Sequence, residues 1–228
     1  AFYAAASDAN LAAALVSGNT AIMKPAGPAR LIAYQLLDVL HEAGFPPQVC
    51  QLLPGRGEGI GRRLVKHHDV AIIAFTGLRD VGVTILQQAA GLGFGQYHLK
   101  RVVCEMGGKN AIIVDHDADL DEAVLQTLHS AFGYQGQKCS AASRAIVVGD
   151  RLHDRFAARL AEALDAYSYG TPRDPQHLFG PVISESAQRK AEAYVEVGRR
   201  EGRLLYRGKV PDHGYYVAPA IFTGIEPQ

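Results

Sequence analysis

Between residues 11 and 104 the chain switches hydrophobic period repeatedly. Short, almost wholly apolar runs alternate with stretches whose apolar residues recur every three or four positions. The runs read as strands buried on both faces, and the stretches between them as amphipathic helices. That alternation points to a parallel sheet with helices on both sides. Strands are expected at 20–24, 49–53, 70–75 and 101–104. Helices are expected to end at 11–16 and to span 30–43, 60–66 and 80–90, with Gly18 and Gly44 as stops. The core face of the 30–43 helix is read as Ile32, Leu36, Leu37 and Leu40. Ligands of such sheets bind at the carboxyl ends of the strands, where Lys24 and Gly77 fall.

A second α/β unit begins near residue 105, with strands expected at 111–114, 144–148, 204–206 and 215–217. Its helices are expected at 121–132, 152–167 and 186–201, while 170–181, with three prolines, reads as a loop. The expected division is therefore 1–104 and 105–228, which puts Glu105 and Cys139 near a domain seam, a common location for sites. No internal repeat or low-complexity tract interrupts either part.

Composition removes several classes of function. Lys+Arg and Asp+Glu balance at 23 each, so no basic field advertises a nucleic-acid partner. No apolar run approaches the roughly 20 residues that span a bilayer, and the opening residues lack the pattern of a signal peptide. Three cysteines, Cys50, Cys104 and Cys139, make no disulfide framework, so cytosol or an organelle matrix is the expected compartment. The chain lacks an initiator Met and stops just after an apparent strand. The expectation is a piece of a longer polypeptide, with part of any active site elsewhere.

Cys139, in Gly136-Gln137-Lys138-Cys139-Ser140, is flanked by polar and small residues before any strand begins. Upstream, Glu105 sits in Glu105-Met106-Gly107-Gly108-Lys109. A thiol nucleophile and a carboxylate able to activate water are what a two-step covalent reaction at a carbonyl carbon requires. Phe75-Thr76-Gly77-Leu78-Arg79-Asp80-Val81-Gly82 follows a buried strand and opens a helix. Its glycines suit a backbone approach to phosphate, or a strand-to-helix turn that needs glycine for its dihedrals. Lys24 ends a strand and suits either a ribose or phosphate contact or plain solvation.

Other candidates fail on spacing. Pro54-Gly55-Arg56-Gly57-Glu58-Gly59-Ile60-Gly61 has Ile60 where the dinucleotide fingerprint needs glycine. Val103 stands where a Walker loop ending at Gly108-Lys109 needs its first glycine, and Asn110 replaces the Ser/Thr. His41-Glu42 lacks a second histidine, and His67-His68-Asp69 reads as a polar turn, so no metal site is expected. Cys50 and Cys104 read as small core residues in strands.

Taken in order, Gly18-Asn19-Thr20 through Lys24-Pro25, Phe75-Thr76-Gly77, Glu105 to Lys109 and Gly136 to Cys139 resemble the NAD(P)-dependent aldehyde dehydrogenase superfamily over nearly the whole chain. The form Gly136-Gln137-Lys138-Cys139-Ser140-Ala141-Ala142-Ser143-Arg144 looks most like the branch that oxidises glutamate semialdehyde, the 1-pyrroline-5-carboxylate dehydrogenases, including the dehydrogenase part of bifunctional proline-utilisation proteins. The resemblance implies a Rossmann-type parallel sheet followed by part of a second α/β catalytic domain. It implies Cys139 as nucleophile and Glu105 as general base that hydrolyses the thioester. Lys24, Pro25, Gly77, Leu78 and Gly82 are implied at the cofactor, NAD with NADP still open. A small aldehyde is the implied substrate, and a homo-oligomer the implied state of the full-length protein.

Three departures from the family pattern bear on this. Gly27 stands where members carry a Glu that shares the ribose hydroxyls, and Leu78 where they carry a Ser that reaches the pyrophosphate. Two weakened polar contacts of about 1–1.5 kcal/mol each loosen cofactor binding about tenfold or more. Ungapped counting puts the family's oxyanion-stabilising Asn on Ala1, so that donor is lost or the alignment shifts there. Two other readings stand beside the dehydrogenase: a non-catalytic module that keeps the fold, and a thiol hydrolase or acyltransferase using Cys139 and Glu105 without cofactor.

Overall fold

The computed structural model describes residues 2–5 and 8–226, so Ala1 lies outside the described residues. The chain forms two compact units, one ending at Gly107 and the other beginning at Gly108.

In the first unit, β1 (Phe2–Ala5), β2 (Ala21–Met23), β3 (Cys50–Leu52), β4 (Ile72–Gly77) and β5 (Arg101–Met106) form one sheet. All its pairings are parallel, and the order is β3-β2-β1-β4-β5. This is the doubly wound order, with the direction of travel reversing at β1. Helices α1 (Asp8–Val16), α2 (Arg30–Glu42), α3 (Arg62–Lys66) and α4 (Arg79–Ala89) make the connections. The alternation of β2 separates the two faces. Ala21 and Met23 pack in one core with Leu11, Ala14, Ala33 and Leu37, while Ile22 packs against the other, built from Leu64, Val65, Ile73, Phe75 and Ile85.

Strand β5 continues beyond the expected 104 because its ladder with β4 holds register to the end, Glu105 facing Thr76 and Met106 facing Gly77. Glu105 therefore closes the first unit instead of opening the second. On α2 the buried positions are Ala33 and Leu37, with Leu36 and Leu40 against the same core, and Ile32 is 67% exposed. The helical spacing is as expected, but the face begins one residue later.

The second unit pairs β6 (Asn110–Val114) with β7 (Ala142–Val147) in parallel across α5 (Leu120–Phe132). Asp119 caps α5, accepting from the backbone N–H of Asp121 at 2.9 Å and of Glu122 at 3.2 Å. Leu120, Val124 and Leu128 then face Phe156, Leu160 and Leu164 of α6 (Asp150–Asp165) in one core. Phe179, almost wholly buried, completes it from β9 (His177–Phe179), which lies inside the proline-bearing stretch 170–181 read as a loop and pairs with β8 (Ser168–Tyr169) just before it. Helix α7 (Glu185–Glu201) leads into β10 (Arg203–Arg207), whose antiparallel partner is β11 (Ala220–Thr223). Residues 215–217 are not a strand. The carbonyls of Tyr215 and Tyr216 are taken instead by the Val182 N–H and the Gln188 side-chain amide. Among the described residues no helix is long and apolar enough to cross a membrane.

Gly82 shows how closely α4 lies on the sheet. A Cβ there would stand 2.8 Å from Met106 Sδ and 3.5 Å from Phe75 Cε1. Gly82→Val is expected to lower the unfolding free energy by about 1–3 kcal/mol through overpacking. Urea titration of the 228-residue chain measures it, and an unchanged midpoint would mean that Met106 and Phe75 yield freely.

Candidate active site

Two regions of the molecule carry the candidate residues. In the first unit a cavity of about 540 Å³ opens at the carboxyl ends of β2 and β4. Its walls are Lys24 and Ala26 after β2, Gly57, Glu58, Gly61 and Arg62 around the start of α3, and Asp80, Val81, Thr84 and Gln88 of α4, with Phe75 and Thr76 of β4. The size and the mixed lining suit an organic ligand of nucleoside size.

Lys24 is 8% exposed, and its Nζ donates to the Pro25 carbonyl at 3.0 Å. Burial lowers its pKa from the ordinary lysine value. Leu78 occupies the N-cap position of α4 with extended backbone, makes no side-chain cap and is 64% exposed. The N–H groups of the first turn thus stand without a capping side chain, at the positive end of an eleven-residue helix. Asp80 in that turn contributes a carboxylate of its own. Gly77 does not have positive φ; a Cβ there would meet Phe75 Cζ at 2.6 Å. Space against Phe75, not dihedral freedom, demands glycine at 77, as Met106 does at 82.

The run from Gly55 to Gly61, which fails the fingerprint spacing, contains a π-type turn at Gly57–Gly61 that continues into α3. That turn also walls the cavity, a part its failed fingerprint spacing did not suggest. Its readable signal was glycine at every second position.

Glu105 is exposed near the carboxyl end of β5 in the first unit, whereas Cys139 belongs to the second. Cys139 is exposed as well and follows a turn of unusual backbone. Tyr134, Gln135 and Gly136 in succession have φ of 51°, 57° and 66°. For two of these, non-glycine residues, the left-handed region is uncommon and costly. Compensating contacts surround the turn. Lys138 Nζ lies 5.6 Å from the centre of the Tyr134 ring, and the Gln137 N–H donates to the Tyr134 carbonyl at 3.0 Å. Asn110 Nδ2 donates to the carbonyls of Cys139 at 2.8 Å and Ala141 at 3.3 Å. In the sequence Asn110 stands out only as the wrong residue for a Walker loop.

A second cavity, of about 770 Å³, adjoins this turn, with Gln135, Gln137, Tyr169, Lys190, Tyr194 and Phe222 in its walls. Cys50 and Cys104 lie in strands, and burial raises both thiol pKa values. His67, His68 and Asp69 bring potential ligand atoms within 4.8 Å of one another on an exposed turn, where His68 Nδ1 and Asp69 Oδ1 are 3.0 Å apart.

Comparison with known proteins agrees across nearly the whole chain. Residues 3–228 match the aldehyde dehydrogenase family. The 1-pyrroline-5-carboxylate dehydrogenase of Geobacillus kaustophilus is 44% identical over 216 residues, covering 94% of this chain and 42% of that protein. The Bacillus subtilis protein of that name is 43% identical, covering the same 94% and 42%. Among solved structures, 1-pyrroline-5-carboxylate dehydrogenase from Thermus with bound NAD superposes with a TM-score of 0.88 at 42% identity, over 92% of this chain and 41% of that one. Proline utilization A from Bdellovibrio bacteriovorus, inactivated by N-propargylglycine, gives 0.89 at 45% identity, over 92% and 22%. The chain thus spans about two fifths of the length of the curated relatives it matches.

The buried Lys24 makes stability depend on pH in a definite sense. Between its lowered folded value and the unfolded value of about 10.4, the unfolded chain binds more protons, so this residue makes stability rise with pH. Lys24→Met is expected to remove that rise relative to the parent. Urea unfolding at several pH values from about 8 to 10.4 measures the difference, and parallel curves would contradict it.

Proposed function

Because the chain belongs to the aldehyde dehydrogenase family, we propose that it serves the NAD-dependent oxidation of a small aldehyde, glutamate semialdehyde, to the carboxylic acid. The observation that carries the reading is Cys139, exposed on a loop whose backbone is strained before it and clamped by Asn110. An exposed thiol on a loop whose backbone is held suits a nucleophile better than a core cysteine does. The choice of glutamate semialdehyde rests on the relatives named 1-pyrroline-5-carboxylate dehydrogenase.

In this mechanism the Cys139 thiolate adds to the aldehyde carbon, and the carbonyl oxygen takes the new charge. Loss of hydride from that carbon leaves a thioester. Water, deprotonated by Glu105, adds to the thioester and expels the thiolate, giving the carboxylate product. The residues of the first-unit cavity fit a dinucleotide. There is room for a nucleoside, a lysine at its edge, and a helix N-terminus without a side-chain cap for a diphosphate. Lys24 and the backbone after Pro25 would hold the ribose, and the N–H groups following Leu78 the diphosphate, with Gly77 and Gly82 keeping α4 close to the sheet. A nicotinamide dinucleotide held by these residues would supply the acceptor for that hydride. NAD is preferred over NADP because the Thermus relative carries it. Three unpaired thiols suit a reducing compartment such as the cytosol.

The test is NADH formation from glutamate semialdehyde by the longest native form of the chain. Cys139→Ser is expected to abolish turnover, and undiminished activity would reject the nucleophile. Glu105→Gln is expected to cost about 10²–10⁴ in steady-state rate while a first turnover of NADH persists, seen as a burst with acyl-enzyme by mass spectrometry. Parental steady-state turnover in that variant would remove Glu105 from the mechanism. Absence of dinucleotide binding would favour a non-catalytic role, for which Gly27 and the exposed Leu78 speak.

A further inference from the structure

The loop carrying Cys139 has backbone carbonyls that need partners, and two of them are met by one side chain. Both the Cys139 and the Ala141 carbonyl accept from the same Asn110 nitrogen, at 2.8 Å and 3.3 Å. A carboxamide has two N–H donors on that atom, one for each carbonyl. The rest of the neighbourhood fixes Asn110 in turn. Asn110 opposes Ala142 and Ala111 opposes Arg144, so the β6–β7 ladder bulges with Ser143 as the extra residue. Ser143 Oγ lies 3.5 Å from the Asn110 carbonyl, and the Arg144 guanidinium donates to the carbonyl of Lys109. Gly108 leaves the space that this arrangement uses, since a Cβ there would stand 3.2 Å from Asn110 Oδ1. On the far side of the loop, Ser130 Oγ accepts from the Ala142 N–H at 3.3 Å.

We propose that Asn110 is the positioning residue of Cys139. Its carboxamide ties the nucleophile's own carbonyl to the first residue of a strand, so that the thiol is presented from the sheet and not from a free loop. The proposal rests on Cys139 being the nucleophile. It sets a chemical requirement at position 110: a carboxamide, whose nitrogen carries two donors. Aspartate has the same shape but would turn an acceptor toward two carbonyls.

Site-resolved alkylation of the 228-residue chain with iodoacetamide tests it, read by mass spectrometry of the Cys139 and Cys104 peptides across pH. Asn110→Ala and Asn110→Asp are expected to change the Cys139 rate at neutral pH about fivefold or more. Asn110→Gln, which keeps the donor, is expected to stay nearer the parent, and the Cys104 profile to stay fixed throughout. Superimposed Cys139 profiles overturn the proposal. Equal displacement by Gln and Ala also overturns it, because the donor would then be irrelevant. Loss of the thermal transition, or an equal change at Cys104, overturns it too, by making Asn110 a packing residue. Alkylation needs no turnover, so a Cys139→Ser protein that still oxidised aldehyde would sink the nucleophile reading alone.

Discussion

The approach of α4 to its sheet is the constraint on which the first unit depends. With no side chain at 82, the helix lies against Met106 and Phe75, and the Gly82 carbonyl comes within 3.8 Å of Cys104 Sγ. Phe75 in turn forbids a side chain at Gly77, the last residue of β4. These contacts set where the first turn of α4 stands relative to the strand ends, and with it the distance across the cavity to Lys24. A helix displaced outward by a methyl group or two would still bury Ile85 and Ala89, but it would carry Asp80, Val81 and Thr84 away from the opposite wall. The site is made by packing, although no atom of Gly82 need touch a ligand.

The second unit solves a different problem, holding an exposed loop still. Two non-glycine residues in the left-handed region cost about 1–2 kcal/mol each. Against this stand the Asn110 bonds, the Gln137 turn bond and the Lys138–Tyr134 contact, each worth about 0.5–1.5 kcal/mol. The two sides are of similar size, so the conformation persists without being deeply trapped. Its anchor lies in the well-packed layer of α5 and α6, since Ser130 belongs to α5 and lies two residues from the buried Leu128.

Much of this was legible in the sequence because α/β architecture writes itself in changes of period. Helices closed by Gly18 and Gly44 could be placed within a residue or two, and the four motifs that carry the family resemblance are local in sequence. What escaped was set by distant partners. Whether Ile32 or Ala33 faces the core depends on where α2 meets β2 and β3, which spacing alone leaves open by a residue. Tyr215-Tyr216-Val217 has strand-forming residues, yet its carbonyls bond to Val182 and Gln188, and pairing with β10 falls to 220–223 instead. Strands β8 and β9, of two and three residues, lie in or beside a stretch whose prolines read as a loop. Asn110 was hidden for a third reason: its partner is a backbone carbonyl, which leaves no trace in the identity of residue 139.

Strand β1 sits in the middle of the sheet, with β2 on one side and β4 on the other. Its four residues hold two ladders at once, and one of them joins Phe2 to Ile72. Closing a loop of that length costs about 4 kcal/mol of chain entropy, so the pairing comes late, after the local helix–strand units have formed. Until it does, β2 and β4 each present an unpaired edge of apolar backbone, the kind of surface on which a strand from another molecule can dock. The four residues of β1 thus stand between a continuous five-stranded sheet and one whose central gap a strand from another molecule could fill.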